Sequence, residues 1–468
     1  MVRSLLRAPL RFRRITLPPA PVLYCRPVNP VNTTSTSTTN QRSFTPSRRF
    51  NQTSSDARAH SGDEKPTTEP NSEPVSLSYI RLRDRCKCPL CVDVHSKQRN
   101  FRSSDIPPNI QAKSLKWDGD ILEVSWESDI PGFDSSHISR YTLDEVRSPT
   151  HYPVSCDTGS KRNRISWSRK RMESLQHWIS YEDYIHNDAE FTRAMRQLAV
   201  LGMIFVKDIP DSREMVEKVV KRIGPLRNTF YGQTWDVRTV PQAKNVAYTS
   251  QFLGFHMDLM YMREPPAFQF LHCLRNSCDG GESLFADAFH VAETMYKDER
   301  HNFDTLTQTN LKYEYLHEDS IYSRSRPVFE TGTPTTAGSL LRAVNYSPPF
   351  QGPQVDMEGT ENASIERQKL ELEALKSFAN RLESEEEMFE LKLKPGECVI
   401  FENRRIVHAR RQFNTAFGER WLAGAYLDED VVLSRFRVQQ NKNPEAWLKF
   451  GDKGVSALLE DVKTSQCS

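Results

Sequence analysis

Acid is missing from the start of this chain. No Asp or Glu occurs in residues 1–55, which nonetheless carry Arg3, Arg7, Arg11, Arg13, Arg14, Arg26, Arg42, Arg48 and Arg49. An Arg-rich, Ser/Thr-rich, acid-free segment has the composition of a mitochondrial presequence, which a negative matrix potential draws inward. Residues 42–47 and 48–53 both resemble processing sites. Residues 1–74 are therefore expected to be a transit peptide and disordered leader, and the mature chain to lie in the mitochondrial matrix. Long apolar runs are missing too: none approaches the roughly 18 residues of a membrane-spanning helix, so no membrane partner is expected. No secretory hydrophobic region is present, and the cysteine count is odd at nine. Together with a matrix address, this argues against a disulfide framework. A large excess of either charge sign is missing as well. The net charge is +2, much of the positive excess lies in the leader, and no case for nucleic-acid binding is left. Apolar residues make up only 37%, a deficit concentrated in the first seventy residues. No internal repeat is visible.

Pattern begins near Val75. Residues 75–150 read as short strands, Ser76–Arg83, Ile110–Trp117 and Ile121–Trp126, with Asp118-Gly119 as a hairpin signal between the last two. The result is a β module small enough that a hydrophobic core alone is marginal. Residues 151–175 are basic and polar and read as a linker or docking strap. Helical periodicity follows over Tyr181–Leu198 and Ser212–Arg222, with a buried strand from Gly202 to Lys207 between them. Short apolar runs come next: Val246–Thr249, Phe268–Leu274, Ser283–Asp287, Glu390–Leu393, Cys398–Phe401 and Trp421–Leu427. Strands at this spacing favour a barrel or jelly roll over a parallel sheet. One helical insert, Ser364–Glu387, interrupts them. The turn Lys394-Pro-Gly-Glu397 leads into a strand, after which the segment up to His408 is expected to leave the sheet near a barrel mouth.

The chemistry most consistent with these residues is a facial triad of two histidines and one carboxylate. It occupies one face of Fe(II) and leaves positions for a bidentate keto acid and O2. Its trace is His-x-Asp on a strand, where residues i and i+2 share a face, closed by a distant histidine. Chance supplies roughly 0.7 such tripeptides in a chain of this composition, and three occur. His186-Asn-Asp188 lies in a polar stretch of helical period, so it reads as a solvated helix face. His317-Glu-Asp319 closes an apolar run amid acids and reads as a loop end. Only His256-Met-Asp258 lies inside an apolar segment, Phe252–Tyr261, where burying an unpaired His and Asp would be costly. His408 follows the turn described above. Arg420, twelve residues on, can grip the far carboxylate of 2-oxoglutarate in a bidentate fork; Ser283 can add a hydroxyl to it. Cys86, Cys88 and Cys91 place three thiolates within one turn, a geometry suited to tetrahedral zinc, and by spacing alone His95 is the nearest fourth ligand.

These residues resemble a known family. His256-Met-Asp258, Glu264-Pro-Pro, Gln269–Cys273, Gly280–Asp287, Phe401–His408 and Arg420–Tyr426 are similar to the gamma-butyrobetaine dioxygenase / trimethyllysine dioxygenase family, over residues 76 to about 440. The resemblance implies a mainly β fold: a double-stranded β-helix (jelly-roll) catalytic domain at residues 176–440 with helical inserts. A small zinc-binding domain at 75–150 precedes it and a tail at 441–468 follows. It implies Fe(II), 2-oxoglutarate as cosubstrate, structural Zn(II) and ascorbate as reductant, with the iron on His256, Asp258 and His408. It moves the fourth zinc ligand to His137, which ties the module's ends together. It places Tyr231, Trp235 and Tyr248 around a trimethylammonium group through ring quadrupoles, with Asn245 and Asn345 at the substrate.

The activity expected is hydroxylation of a small quaternary amine, gamma-butyrobetaine to carnitine first. Trimethyllysine or another small amine or acid is the alternative. A small-molecule substrate and a second copy of the chain, as a homodimer, are the expected partners. The sequence departs from the butyrobetaine pattern at Leu259, where tyrosine is common, and at Met257, where a small hydroxyl residue is usual. A catalytically inactive ligand-binding relative is a further reading. The intact His256, Asp258, His408 and Arg420 set argues against it.

Overall fold

Strand alternation sorts the side chains of this protein into two cores. In Met203–Lys207, Met203 and Phe205 join one cluster, while Ile204 and Val206 join the other. The same split runs through Phe268–Asn276 and Cys398–Glu402. A sheet buried on both faces needs such near-continuous apolar strands, and for that reason these runs show no polar alternation. The computed structural model describes residues 78–147, 162, 164–238, 249–332, 341–353 and 361–448. The predicted leader lies outside them, as do all but one residue of the predicted strand Val246–Thr249 and the end of the predicted tail.

The major sheet has six strands in the order Trp178–Ser180, Met203–Lys207, Cys398–Glu402, Phe268–Asn276, Arg420–Leu427 and Thr234–Arg238. Its first pair is parallel and the others antiparallel. A minor sheet of four runs Phe389–Leu391, Ser283–Asp287, Ile406–Arg410 and Leu253–His256. Side chains from both sheets, among them Phe205, Leu271 and Phe401 with Phe255, Phe285 and Val407, fill one core between them. This is the double-stranded β-helix. Helices Asp188–Leu201, Met215–Ile223 and Glu429–Lys442 cover the outer face of the major sheet. The predicted insert is the helix Glu361–Leu382, packed against Ala288–Asp298 and Arg300–Gln308. Among the described residues no helix is long and apolar enough to cross a membrane.

Two expectations change. The predicted strand at Ser76–Arg83 is instead the helix Tyr79–Asp84, started by the Ser78 hydroxyl accepting from the Arg81 backbone; a cap outweighs the local alternation. The helical stretch from Tyr181 is broken in two at Asn187, whose side chain caps the second helix by accepting from Ala189 and Glu190. The described part of the basic strap is anchored in the protein: Ile165, Trp167 and Met172 are buried and Arg162 and Arg164 pair with Glu402, while Arg169 and Lys170 are exposed.

The N-terminal module has its own core. The sheet Ala112–Asp118, Ile121–Trp126 and Ile138–Thr142 packs Leu122, Val124 and Tyr141 against Leu82, Cys86 and Cys91. Asp118 pairs with Ile121, so the two-residue turn is Gly119-Asp120 rather than Asp118-Gly119, with Gly119 supplying the left-handed first position at φ +57°.

Candidate metal centre and substrate cavity

The antiparallel pairing of Leu253–His256 with Ile406–Arg410 sets His256 directly opposite His408. Their ring centroids are 4.1 Å apart. The strand ends at His256, and Asp258 follows in a turn where Leu259 takes φ +59°. The reversal brings the Asp258 Oδ1 within 3.4 Å of the His256 Nε2 and 3.9 Å of the His408 Nε2. One ligand atom from each residue lies within 4.8 Å of the other two. The His256 Nδ1–H donates to the Gly254 carbonyl at 2.9 Å, leaving the Nε2 lone pair for a metal. Burial raises the Asp258 carboxyl, but His256, His408 and Tyr426 outweigh it and hold it at about 2. Burial, reinforced by His256, pushes His408 down to about 3, so it stays neutral. An ionised carboxylate and neutral imidazole are the protonation states that bind Fe(II). Neither other His-x-Asp forms such a group. His186 ends a helix, and His317 ends the strand Asn310–His317 at a hairpin turn.

Two residues that the sequence reading gave no role hold Asp258, one by its carboxylate and one by its backbone. The Tyr426 hydroxyl donates to Asp258 Oδ2 at 2.6 Å. Asn403 is fully buried, and its Oδ1 accepts from the Asp258 N–H at 2.8 Å. Its Nδ2 donates to the carbonyls of Asp258 at 3.0 Å and Pro266 at 2.9 Å. Both residues stand in the motifs quoted above, but only the crossing between sheets reveals their partner. Arg326 adds a third brace by donating to the carbonyls of Met260, Met262 and Arg263.

A cavity beside the triad is lined by Trp235, Gln269, Ser283, Arg410 and Arg420. Arg420 donates from Nε to the Gly281 carbonyl at 3.2 Å. Gly281 has φ +75°, and a Cβ there would meet the Arg420 Cδ at 3.0 Å, so the glycine makes room for the arginine. Among the described residues no carboxylate pairs with Arg420, although it is almost wholly buried. Burial lowers its pKa only to about 10, so it remains a cation. A buried guanidinium left without an anion fits the distal carboxylate of 2-oxoglutarate. Arg411 is instead on the surface, paired with Glu390.

Trp235 lies beside Tyr426, ring centroids 5.1 Å apart with the planes tilted by 34°, and a Cβ at Gly424 would collide with its indole. Tyr231 lies against Phe230, which joins Tyr261, Tyr315 and Tyr322 in one aromatic cluster. Asn245 and Tyr248 lie outside the described residues. Asn345 departs from expectation: its Nδ2 donates to Pro327 and Glu330, and its Oδ1 accepts from Arg404. Fully buried and with its amide spent inside the protein, it does not line the cavity.

In the N-terminal module Cys86, Cys88 and Cys91 converge on the His137 Nε2 at 3.5, 3.4 and 3.3 Å. Zinc–sulfur and zinc–nitrogen bonds of about 2.3 and 2.0 Å in a tetrahedron separate such atoms by roughly 3.5 Å, so the set fits zinc. The His137 Nδ1 meets Asp129 Oδ2 at 2.5 Å, and Asp129 Oδ1 meets the Arg83 Nε at 2.5 Å, a carboxylate–histidine arrangement typical behind a metal. His95 is exposed and outside the cluster.

Comparison with known proteins agrees with this geometry. The family described as taurine catabolism dioxygenase TauD, TfdA family matches residues 171–426. Dioxygenase str8 of Strobilurus tenacellus is 31% identical over 373 residues, covering 76% of this chain and 83% of its own length. Gamma-butyrobetaine dioxygenase of Pongo abelii is 28% identical over 78% of this chain and 91% of the relative. The mitochondrial trimethyllysine dioxygenase of Rattus norvegicus is 25% identical over 78% of this chain and 83% of the relative.

Proposed function

Because the chain belongs to the TauD/TfdA dioxygenase family and is an Fe(II)- and 2-oxoglutarate-dependent dioxygenase, we propose that it hydroxylates a small trimethylammonium compound. Gamma-butyrobetaine, giving carnitine, is the first choice. The observation that carries this reading is the aromatic wall, with Trp235 in the cavity against Tyr426 and Tyr231 in the neighbouring cluster. Trimethyllysine is the second reading, favoured by the acid-free leader and by mitochondrial relatives that act on that compound by name.

In this reading His256, Asp258 and His408 hold Fe(II), while Arg420 and Ser283 take the distal carboxylate of 2-oxoglutarate. Metal and cosubstrate supply, with O2, the oxidant for an unactivated C–H bond, and 2-oxoglutarate leaves as succinate and CO2. The chain's part is to fix the ligands, aim the amine and keep the cavity dry. Tyr426 holds the Asp258 carboxylate and Asn403 its backbone; Trp235 and Tyr231 face the cation, and the family resemblance adds Tyr248 and Asn245. Zinc on Cys86, Cys88, Cys91 and His137 staples a domain at 75–150, ahead of the catalytic domain at 176–440. Ascorbate as reductant, a matrix location and a homodimer complete the proposal.

Two measurements test it. Purified protein with Fe(II) should form succinate with gamma-butyrobetaine but not with its neutral carbon isostere. Desolvated cation–π contacts of about 2 kcal/mol each give two or three rings roughly a thousandfold preference or more, of which Trp235→Leu should remove about thirtyfold. Equal turnover of cationic and neutral analogues would remove the cage, and activity on trimethyllysine alone would transfer the assignment. Arg420→Lys keeps the charge and loses the fork. The apparent affinity for 2-oxoglutarate should fall about ten- to a hundredfold, from a charge-assisted contact of roughly 1.5–3 kcal/mol, with iron binding intact. An unchanged Michaelis constant for 2-oxoglutarate would place the clamp elsewhere.

A further inference from the structure

The turn at residues 403–405 carries the chain from Cys398–Glu402 in the major sheet to Ile406–Arg410, the strand of His408, in the minor one. Four consecutive side chains at this crossing reach four different places. Asn403 closes on the backbone of Asp258 and Pro266, and Arg404 reaches Glu330 and Asn345. Arg405 pairs with Asp287 and donates to the Ile165 carbonyl, both at 2.7 Å. Glu402 takes Arg164 on Oε1 and Arg162 on Oε2, both at 2.8 Å. The outer two of the four therefore meet one element, the strap that precedes the catalytic domain. That strap is itself fastened down. The Ile165 N–H donates to the Val200 carbonyl at 3.1 Å, the Trp167 N–H to Asp287 Oδ2 at 3.2 Å and the Trp167 indole to the Leu201 carbonyl at 2.9 Å. The side chains of Arg162, Arg164 and Glu402 are at most 7% exposed. A buried ion set of this kind adds little net stability, because desolvation offsets the attraction. Its effect is on geometry: a carboxylate with a guanidinium on each oxygen cannot turn. The strap thus fixes Glu402, and the next residue is the one that holds the Asp258 turn.

We propose that Arg164 is a positioning residue for the iron site, acting through Glu402 and Asn403 on Asp258. The inference rests on the reading of Asp258 as an iron ligand, and the test separates the two. Fe(II) affinity of the full chain is measured without oxygen by equilibrium dialysis and metal analysis, beside the melting temperature of the metal-free protein. Asn403→Ala should weaken Fe(II) about 10–100-fold, as loss of a residue supporting a metal ligand does. Arg164→Gln should weaken it about tenfold, within the range of coupling between neighbours in one network. Arg164→Lys, which keeps the charge on Glu402, should restore most of that loss. The decisive arm is the double variant. With Asn403 gone the strap has no route to Asp258, so Arg164→Gln/Asn403→Ala should bind Fe(II) no more weakly than Asn403→Ala alone. A merely structural role would lower the melting temperature and add its loss to that of Asn403→Ala. Unchanged Fe(II) affinity in Arg164→Gln would overturn the proposal, as would additive losses in the double variant. Should Arg164→Gln fail to fold, Glu402→Asp, which draws the carboxylate back from the strap by one methylene, takes its place in the cycle. If Asn403→Ala fails to fold, the loss in Arg164→Gln and its recovery in Arg164→Lys decide. Fe(II) binding that is unchanged in Asp258→Ala would remove the iron reading and this inference together. Binding weakened by Asp258→Ala and Asn403→Ala but not by Arg164→Gln would remove the strap's role alone.

Discussion

His408→Ala should lose iron and turnover together, even when Fe(II) is supplied in excess, and His256→Ala should do the same. Residues that hydrogen-bond a metal ligand are worth about 10–100-fold in affinity or activity. Removing a ligand must cost more, because two donors cannot span one face of an octahedron. Tyr426→Phe supplies the internal scale. It removes only the 2.6 Å hydrogen bond to Asp258 Oδ2 and should fall within that 10–100-fold band. Iron content by metal analysis and succinate formation read both effects. Near-normal turnover of either histidine variant would remove that residue from the metal centre.

Zinc is expected at one atom per chain, separate from iron, and its removal should unfold the N-terminal module. The apparent binding energy of structural zinc, about 10–16 kcal/mol, matches or exceeds the roughly 5–15 kcal/mol that stabilises a whole domain. A module whose buried core, among the described residues, is eleven side chains, two of them the zinc-site Cys86 and Cys91, cannot absorb that loss. Cys91→Ser, or treatment with a strong chelator, should therefore expose the region from Tyr79 to Val146 to protease before the chemical step is affected. His137→Ala should behave likewise, and His95→Ala should keep its zinc. Well-folded protein without zinc, melting as the wild type does, would end this reading.

The sequence was legible where a signal is local. The strands at Ser283–Asp287 and Ile121–Trp126 fall where alternation and turn residues place them. His256-Met-Asp258 stood out from two decoys because apolar neighbours predict burial. What escaped depends on partners distant in the chain. Nothing near Asn403 indicates that its amide closes on the backbone of Asp258, and nothing near Asn345 indicates that Glu330 and Arg404 consume it. Asp258 itself lies past the end of its strand, in a turn at Leu259 that period-2 reasoning places on the strand. The helix at Tyr79–Asp84 was missed because a one-residue cap competed with a longer alternating pattern.

The direct opposition of His256 and His408 ties the metal to the assembly of the sheet. A slip of one residue between these strands would turn one imidazole to the outer face, and no rotamer would bring it back. With iron on these ligands, as proposed, only chains whose minor sheet has paired in the native register would capture it, and bound iron would penalise the other registers. Metal loading would then act as a proofreading step in folding. Protein made without iron should accumulate misregistered forms that later addition of iron rescues slowly, at the rate at which the strands unpair.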